Sequence, residues 1–167
     1  MKIAIMQPYF FPYIGYFQLM KYVDIFVVYD NIKYTKKGWI NRNRILFNGK
    51  EELFTIPIKK GSDFLNIDER FLSDNALQMK NKFLKKIELS YKNAPYYNDV
   101  FSIIKECILY DKINLFSYIF NSLIKIRENL NLNTEFIISS KLNIDHALTK
   151  QDKVIEICRC LNATDYI

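Results

Sequence analysis

The chain has 167 residues, half of them hydrophobic and a quarter charged, which is long enough to bury a sizeable core and too apolar to stay disordered. Four glycines and four prolines exclude a collagen-like or low-complexity chain, and three cysteines do not make a disulfide framework. The net charge of +6 is concentrated: residues 31–60 hold eight lysines and arginines against Glu51 and Glu52, so this stretch carries the whole excess and points to an anionic ligand.

Ile3-Ala4-Ile5-Met6 is a short apolar run of the kind found in a buried strand. It is too short for the core of a signal peptide, and no apolar run reaches the roughly 18 residues of a membrane span. The chain is therefore expected to be cytoplasmic, with no membrane span. Gln7 to Pro12 is a loop stiffened by Pro8 and Pro12, Tyr13 to Tyr22 has helical spacing, and Asp24 to Tyr29 is a second apolar strand. That order is a βαβ unit, which implies a parallel strand pair with a right-handed crossover.

Trp39 to Phe47 and Leu53 to Ile58 are strand-like, with Asn48-Gly49 between them as a hairpin signal. A helix follows from a cap at Ser73 through Tyr91, with Leu77, Phe83, Leu84 and Ile87 on one face. Asn93-Ala94-Pro95 ends it. Asp99 to Leu109 and Asn114 to Asn129 are two further helices, and Thr134 to Ser139 is an apolar strand. Thr149 and Asp152 form a capping-box-like T-x-x-D at the start of a helix through Leu161, and Asn162 suits a left-handed helix end. Asp165-Tyr166-Ile167 reads as the opening of another strand, so the chain is expected to be truncated at its C-terminus.

In an open α/β sheet, ligands bind beyond the carboxyl ends of the strands. Those ends carry Gln7 and Tyr9, then Asp30, then Ser140, which are site candidates by topology. Asp30 is the best-placed candidate general base, and the single histidine, His146, next to Asp145, is a second, because imidazole as a residue type exchanges its proton near neutrality. Cys107 falls on the inward face of its helix and reads as core. Cys158-x-Cys160 has no companion pair, so no metal site is expected.

Asn41-Arg42-Asn43-Arg44 is the most unusual polar run. On a strand, Arg42 and Arg44 share one face, suited to a pyrophosphate or carboxylate, and Asn41 and Asn43 share the other, suited to sugar hydroxyls or hairpin contacts. The alternative is an edge strand guarded by charge. Lys36 and Lys37 add to the anion site, and Trp39 or Tyr13 would stack on a base or sugar. Tyr13-Ile14-Gly15-Tyr16 after the first strand is similar in layout to the H-x-G-H segment of nucleotidylyltransferases. Gly15 allows close approach of a nucleotide, but tyrosines stand where positively charged histidines would stabilise the triphosphate.

Ile5-Met6-Gln7-Pro8-Tyr9-Phe10-Phe11-Pro12-Tyr13-Ile14-Gly15-Tyr16-Phe17, followed by Val23-Asp24 and Phe26-Val27-Val28-Tyr29-Asp30, resembles the WbqC-like family of bacterial proteins. Gly38-Trp39-Ile40-Asn41-Arg42-Asn43-Arg44-Ile45 is the second hallmark. Tyr91-Lys92-Asn93-Ala94-Pro95-Tyr96, Ser139-Ser140 and Lys150 to Ile167 support it. The resemblance implies a role in bacterial surface-polysaccharide (O-antigen type) biosynthesis, as an acyl- or aminoacyl-type transferase acting on a nucleotide-linked amino sugar.

The expectation is a single α/β domain over 1–167: a parallel Rossmann-like sheet, a basic β-hairpin insertion at about 31–60, and a helical C-terminal half. The partner is a nucleotide-sugar or another anionic small molecule, and an acyl-CoA or other activated acyl donor is the one co-substrate entertained. A homo-oligomer is compatible with the sequence. A non-catalytic nucleotide-sugar module is the alternative, and nucleic-acid binding by the basic aromatic segment is a disfavoured third reading.

Overall fold

The computed structural model describes residues 1–167. Its elements, in chain order, are β1 (Lys2–Met6), α1 (Ile14–Tyr22), β2 (Ile25–Val28), β3 (Arg42–Phe47), β4 (Lys50–Thr55), α2 (Ala76–Tyr91), α3 (Tyr97–Leu109), α4 (Leu115–Asn129), β5 (Glu135–Ile138), a 3-10 turn (Ser139–Lys141), α5 (Lys150–Cys160) and β6 (Asp165–Tyr166). Four strands form one parallel sheet in the order β5-β2-β1-β6, and β3 and β4 form a separate antiparallel hairpin.

The apolar runs of β1 and β2 become the two inner strands, and every residue of β2 is buried. Side chains alternate across a strand, so the two runs serve two cores. Ala4, Phe26 and Val28 face the larger one, which gathers Phe10, α1, and the inward sides of α2 and α4. Ile3, Ile5, Ile25 and Val27 face the smaller one, closed by Ile157 and the rest of α5. The sheet is therefore a covered parallel sheet whose carboxyl edge is left for a ligand.

The hairpin is shorter at its start than Trp39 and lies earlier in its second strand than Leu53–Ile58. Phe47 pairs with Lys50, leaving Asn48 and Gly49 as a two-residue loop, both at positive φ (50° and 73°). That is the primed turn which matches strand twist, and its left-handed requirement explains the Asn-Gly pair.

Two helix starts and one helix face need correction. Ser73 does not cap α2. Its hydroxyl donates to the Asn75 side chain, and the helix begins at Ala76. Leu77 faces solvent, and the buried side of α2 is Ala76, Lys80, Phe83, Leu84 and Ile87. Thr149 precedes α5 but makes no side-chain cap bond, because Lys150 sits at φ 52° and breaks the approach that a capping box requires. Asn114 does cap α4, accepting from the Ser117 N–H at 3.0 Å, and Asn162 adopts the left-handed conformation (φ 51°). No helix is long and apolar enough to cross a membrane.

Candidate active site

The carboxyl ends of β2 and β5 are tied together by one side chain. Asp30, just beyond β2, is 2% exposed. Its Oδ1 accepts from the Ser140 backbone N–H at 2.9 Å, and its Oδ2 accepts from the Ser140 hydroxyl at 2.6 Å. Ser140 lies in the short 3-10 turn after β5, where early N–H groups have no partner inside the turn. The two strands therefore end on a shared carboxylate.

A second link runs beside it. Ser139 donates its hydroxyl to Asn31 Oδ1 at 2.9 Å, and Asn31 Nδ2 lies 3.0 Å from His146 Nδ1. His146 Nε2 is 3.1 Å from the Leu142 carbonyl. An amide N–H must donate to Nδ1, so the proton sits on Nε2 and is given to Leu142. Both ring nitrogens of His146 are thus engaged, fastening the loop after the 3-10 turn to the end of β2.

A third strand of chain crosses the same edge. Residues 65–68 run along residues 30–34 through Tyr34 N–H to Leu65 carbonyl (3.1 Å), Ile67 N–H to Ile32 carbonyl (3.0 Å) and Asp68 N–H to Asp30 carbonyl (3.3 Å). Asn114 donates to the Asp68 carbonyl at 2.7 Å. Asp68 is so held at both its N–H and its carbonyl, while its Oδ1 is buried with no hydrogen-bond partner. Burial first, then Asp30 and Glu69, pushes the Asp68 carboxyl above the ordinary aspartate value.

Lys153 approaches from the other side of the sheet. It is 3% exposed, with Nζ 5.2 Å from the centre of the Tyr29 ring and 3.5 Å from the His146 carbonyl. Burial lowers its pKa, against the pull of Asp30, Asp68 and Asp145.

These ends open into a crevice of about 490 Å³ under α4. Its walls carry Asp30, Asp68, Ser117, Asn121 and Ser140, with Phe116 and Phe120 stacked at 5.3 Å and 15° between planes. Hydroxyls and an amide suit sugar hydroxyls, the rings suit an apolar sugar face, and the carboxylates suit a cationic group. No group of three or more His, Cys, Asp or Glu side chains converges here or elsewhere.

Of the residues read from sequence, only Asp30 and Ser140 line this crevice. Gln7 and Tyr9 follow the neighbouring strand β1, where the Tyr16 hydroxyl donates to the Gln7 carbonyl at 3.0 Å. Tyr13 is 71% exposed, and a side chain at Gly15 would run into its ring. Asn41 is buried: it accepts from the Tyr34 hydroxyl at 2.8 Å and donates to the Ile56 carbonyl at 2.6 Å. Asn43 donates to the Phe11 carbonyl.

The basic segment forms a separate surface. Arg42 donates to the Lys36 carbonyl, Lys36 pairs with Asp63, and Arg44 pairs with Glu51 while lying 4.9 Å from the Trp39 ring. Lys37 is exposed. Asn43 and Arg44 also border an apolar cavity of about 530 Å³ with Phe11, Pro12, Phe54 and Phe83. A third hollow, about 560 Å³, lies between α5 and β6 and brings no carboxylate together.

Sequence reading placed Asn31 and Ser139 at the strand ends without naming them as site residues, and missed Asp68 and Lys153. Of these last two only Lys153 left a signal: it precedes the buried Ile157 by four residues, a lysine on the inward stripe of a helix. Cys107, wholly buried, has its thiol pushed up to about 12 by burial. In the native chain at pH 8, iodoacetamide should label the exposed Cys160 and spare Cys107, as read by peptide mass spectrometry. Labelling of Cys107 at the rate of Cys160 would show that the α3–α4 core opens.

Over residues 7–167 the chain matches the sequence model of the WbqC-like protein family. It is 26% identical over 167 residues to an uncharacterized protein of Mycobacterium tuberculosis, an alignment that covers 99% of this chain and 71% of that one. No solved structure matches.

Proposed function

The chain belongs to the WbqC-like protein family, and from that premise we propose that it is an enzyme of bacterial surface-polysaccharide biosynthesis, a transferase that moves an acyl or aminoacyl group onto a nucleotide-linked amino sugar. One observation carries this reading: the crevice at the carboxyl edge of the sheet joins carboxylates, sugar-binding hydroxyl and amide groups and a stacked aromatic pair. The sugar enters that crevice. The basic segment offers Arg42, Arg44 and Lys36 or Lys37 to the pyrophosphate and Trp39 or Tyr13 to the base, and because it is a surface apart from the crevice the nucleotide part must extend out of the crevice to reach it. Arg44 and Lys36 now sit in exposed ion pairs, which are worth at most about 1 kcal/mol and are readily exchanged for a phosphate.

The purified chain should be melted with nucleotide-sugars, free nucleotides and acyl-CoA. A ligand at 100 times its dissociation constant stabilises the fold by about 2.7 kcal/mol. A nucleotide-sugar shift that Arg42→Ala or Arg44→Ala removes is the expected result, and a cooperative melt that no nucleotide-sugar moves would sink the reading.

A second reading is a non-catalytic nucleotide-sugar module. It is favoured by Asp30 and His146, whose two carboxylate oxygens and two ring nitrogens each already have a hydrogen-bond partner within the protein. Binding without turnover by the complete set of substrates would establish it.

A further inference from the structure

Resting on the transferase reading, we propose that Asp68, a residue outside every sequence motif, is the catalytic base that receives the proton of the acceptor amine, and that Asp30 positions it. Asp30 is poorly free to do this itself, because both of its oxygens already accept from Ser140. Asp68 lines the same crevice on a backbone pinned by Asp30 and Asn114, and no side chain donates to its carboxylate. The buried Oδ1 has no donor, a cost that the positive charge of an ammonium drawn into the crevice lowers. The facing groups all bear on its proton. Asp30 and Glu69 raise its affinity for one, the backbone N–H groups of Asp68 and Glu69 lower it, Lys141 lines the crevice, and Lys153 reaches the pair from the far side of the sheet. Burial wins, leaving a carboxylate that holds a proton more tightly than an ordinary aspartate.

The step balances with an acyl thioester as co-substrate. The ammonium of the sugar passes one proton to Asp68, and the freed lone pair forms the N–C bond at the thioester carbonyl. The C–S bond breaks, and the departing thiolate takes the second proton from nitrogen. Asp68 returns its proton to solvent before the next turnover.

The test uses the whole chain with aspartate 13C-labelled at the side-chain carboxyl, the Asp68 resonance being assigned through the backbone so that no variant is required. Glucosamine should shift that resonance, and glucose, lacking the ammonium, should not. Asp68→Asn should remove the signal and keep a cooperative melt. A free carboxyl whose folded pKa is raised takes stability away as pH rises from the ordinary aspartate value through the raised one, so Asp68→Asn should flatten that decline. An Asp68 resonance that responds equally to both sugars, or to neither, would overturn the proposal. A response to glucosamine with no nucleotide-sugar shifting the melt keeps the amine site and removes the nucleotide-linked substrate instead.

Discussion

Asn41→Ala should lower the stability of the chain by about 3 kcal/mol, since each buried group stripped of its partner costs about 1–3 kcal/mol. Asn41 is 2% exposed and stands between the entry to the hairpin and the strand that leaves it. Its side chain accepts from Tyr34 and donates to the Ile56 carbonyl, and its own carbonyl accepts from the Ile56 N–H at 2.8 Å. Alanine keeps the last bond and loses the other two, leaving a tyrosine hydroxyl and a carbonyl unpaired beside Ile40 and Ile56. Tyr34→Phe removes only one donor and should cost about half as much. Urea denaturation monitored by circular dichroism measures both. A loss under about 1 kcal/mol for Asn41→Ala, the net worth of one ordinary hydrogen bond, would mean that water or repacking replaces the amide, and would return Asn41 to the list of residues free to meet a ligand.

The contrast between Asn41 and Asp30 shows what a single sequence discloses. Apolar runs at Ile3 and Asp24 announced the βαβ unit, Asn48-Gly49 announced the primed turn, and Asn162 announced a left-handed residue, because each is a local conformational requirement written in one or two residue types. The topological rule then placed Asp30 and Ser140 at one edge, and the structure brings them into contact. The asparagines of the 41–44 run were legible as a face but not as to partner. Alternation tells which side a residue takes, and whether that side meets solvent or the Ile56 carbonyl depends on where β4 returns. Asp68 left no trace at all, since residues 61–75 have no periodicity and their course is set by bridges to residues 30–34 and to Asn114. Nor did the capping box at Thr149 foretell its geometry, because the left-handed Lys150 turns the helix start away from it.

Asp30→Ala should cost more than Asn41→Ala, about 4 kcal/mol, because the bonds it removes are made to a charged acceptor and are worth about 1.5–3 kcal/mol each. The Ser140 N–H loses its only acceptor, and beyond the β2–β5 ladder, which ends at Val28 and Ile138, the link between the two strand ends falls to Ser139 and Asn31. Two further variants divide the effect. Ser140→Ala deletes the hydroxyl bond and keeps the N–H bond, and should cost about 1–2 kcal/mol. Asp30→Asn keeps an oxygen for the N–H and an amide for the hydroxyl to accept, so it should cost less than alanine while removing the charge. That charge is the second cause of the raised Asp68 carboxyl, so Asp30→Asn should also bring Asp68 back toward an ordinary aspartate and shrink the decline in stability with rising pH. Chemical denaturation gives the energies, and the carboxyl resonance of Asp68 gives the coupling. If Asp30→Asn left the Asp68 titration where it stands, the two carboxylates would not act as a pair, and the crevice would hold one structural clamp and one independent acid.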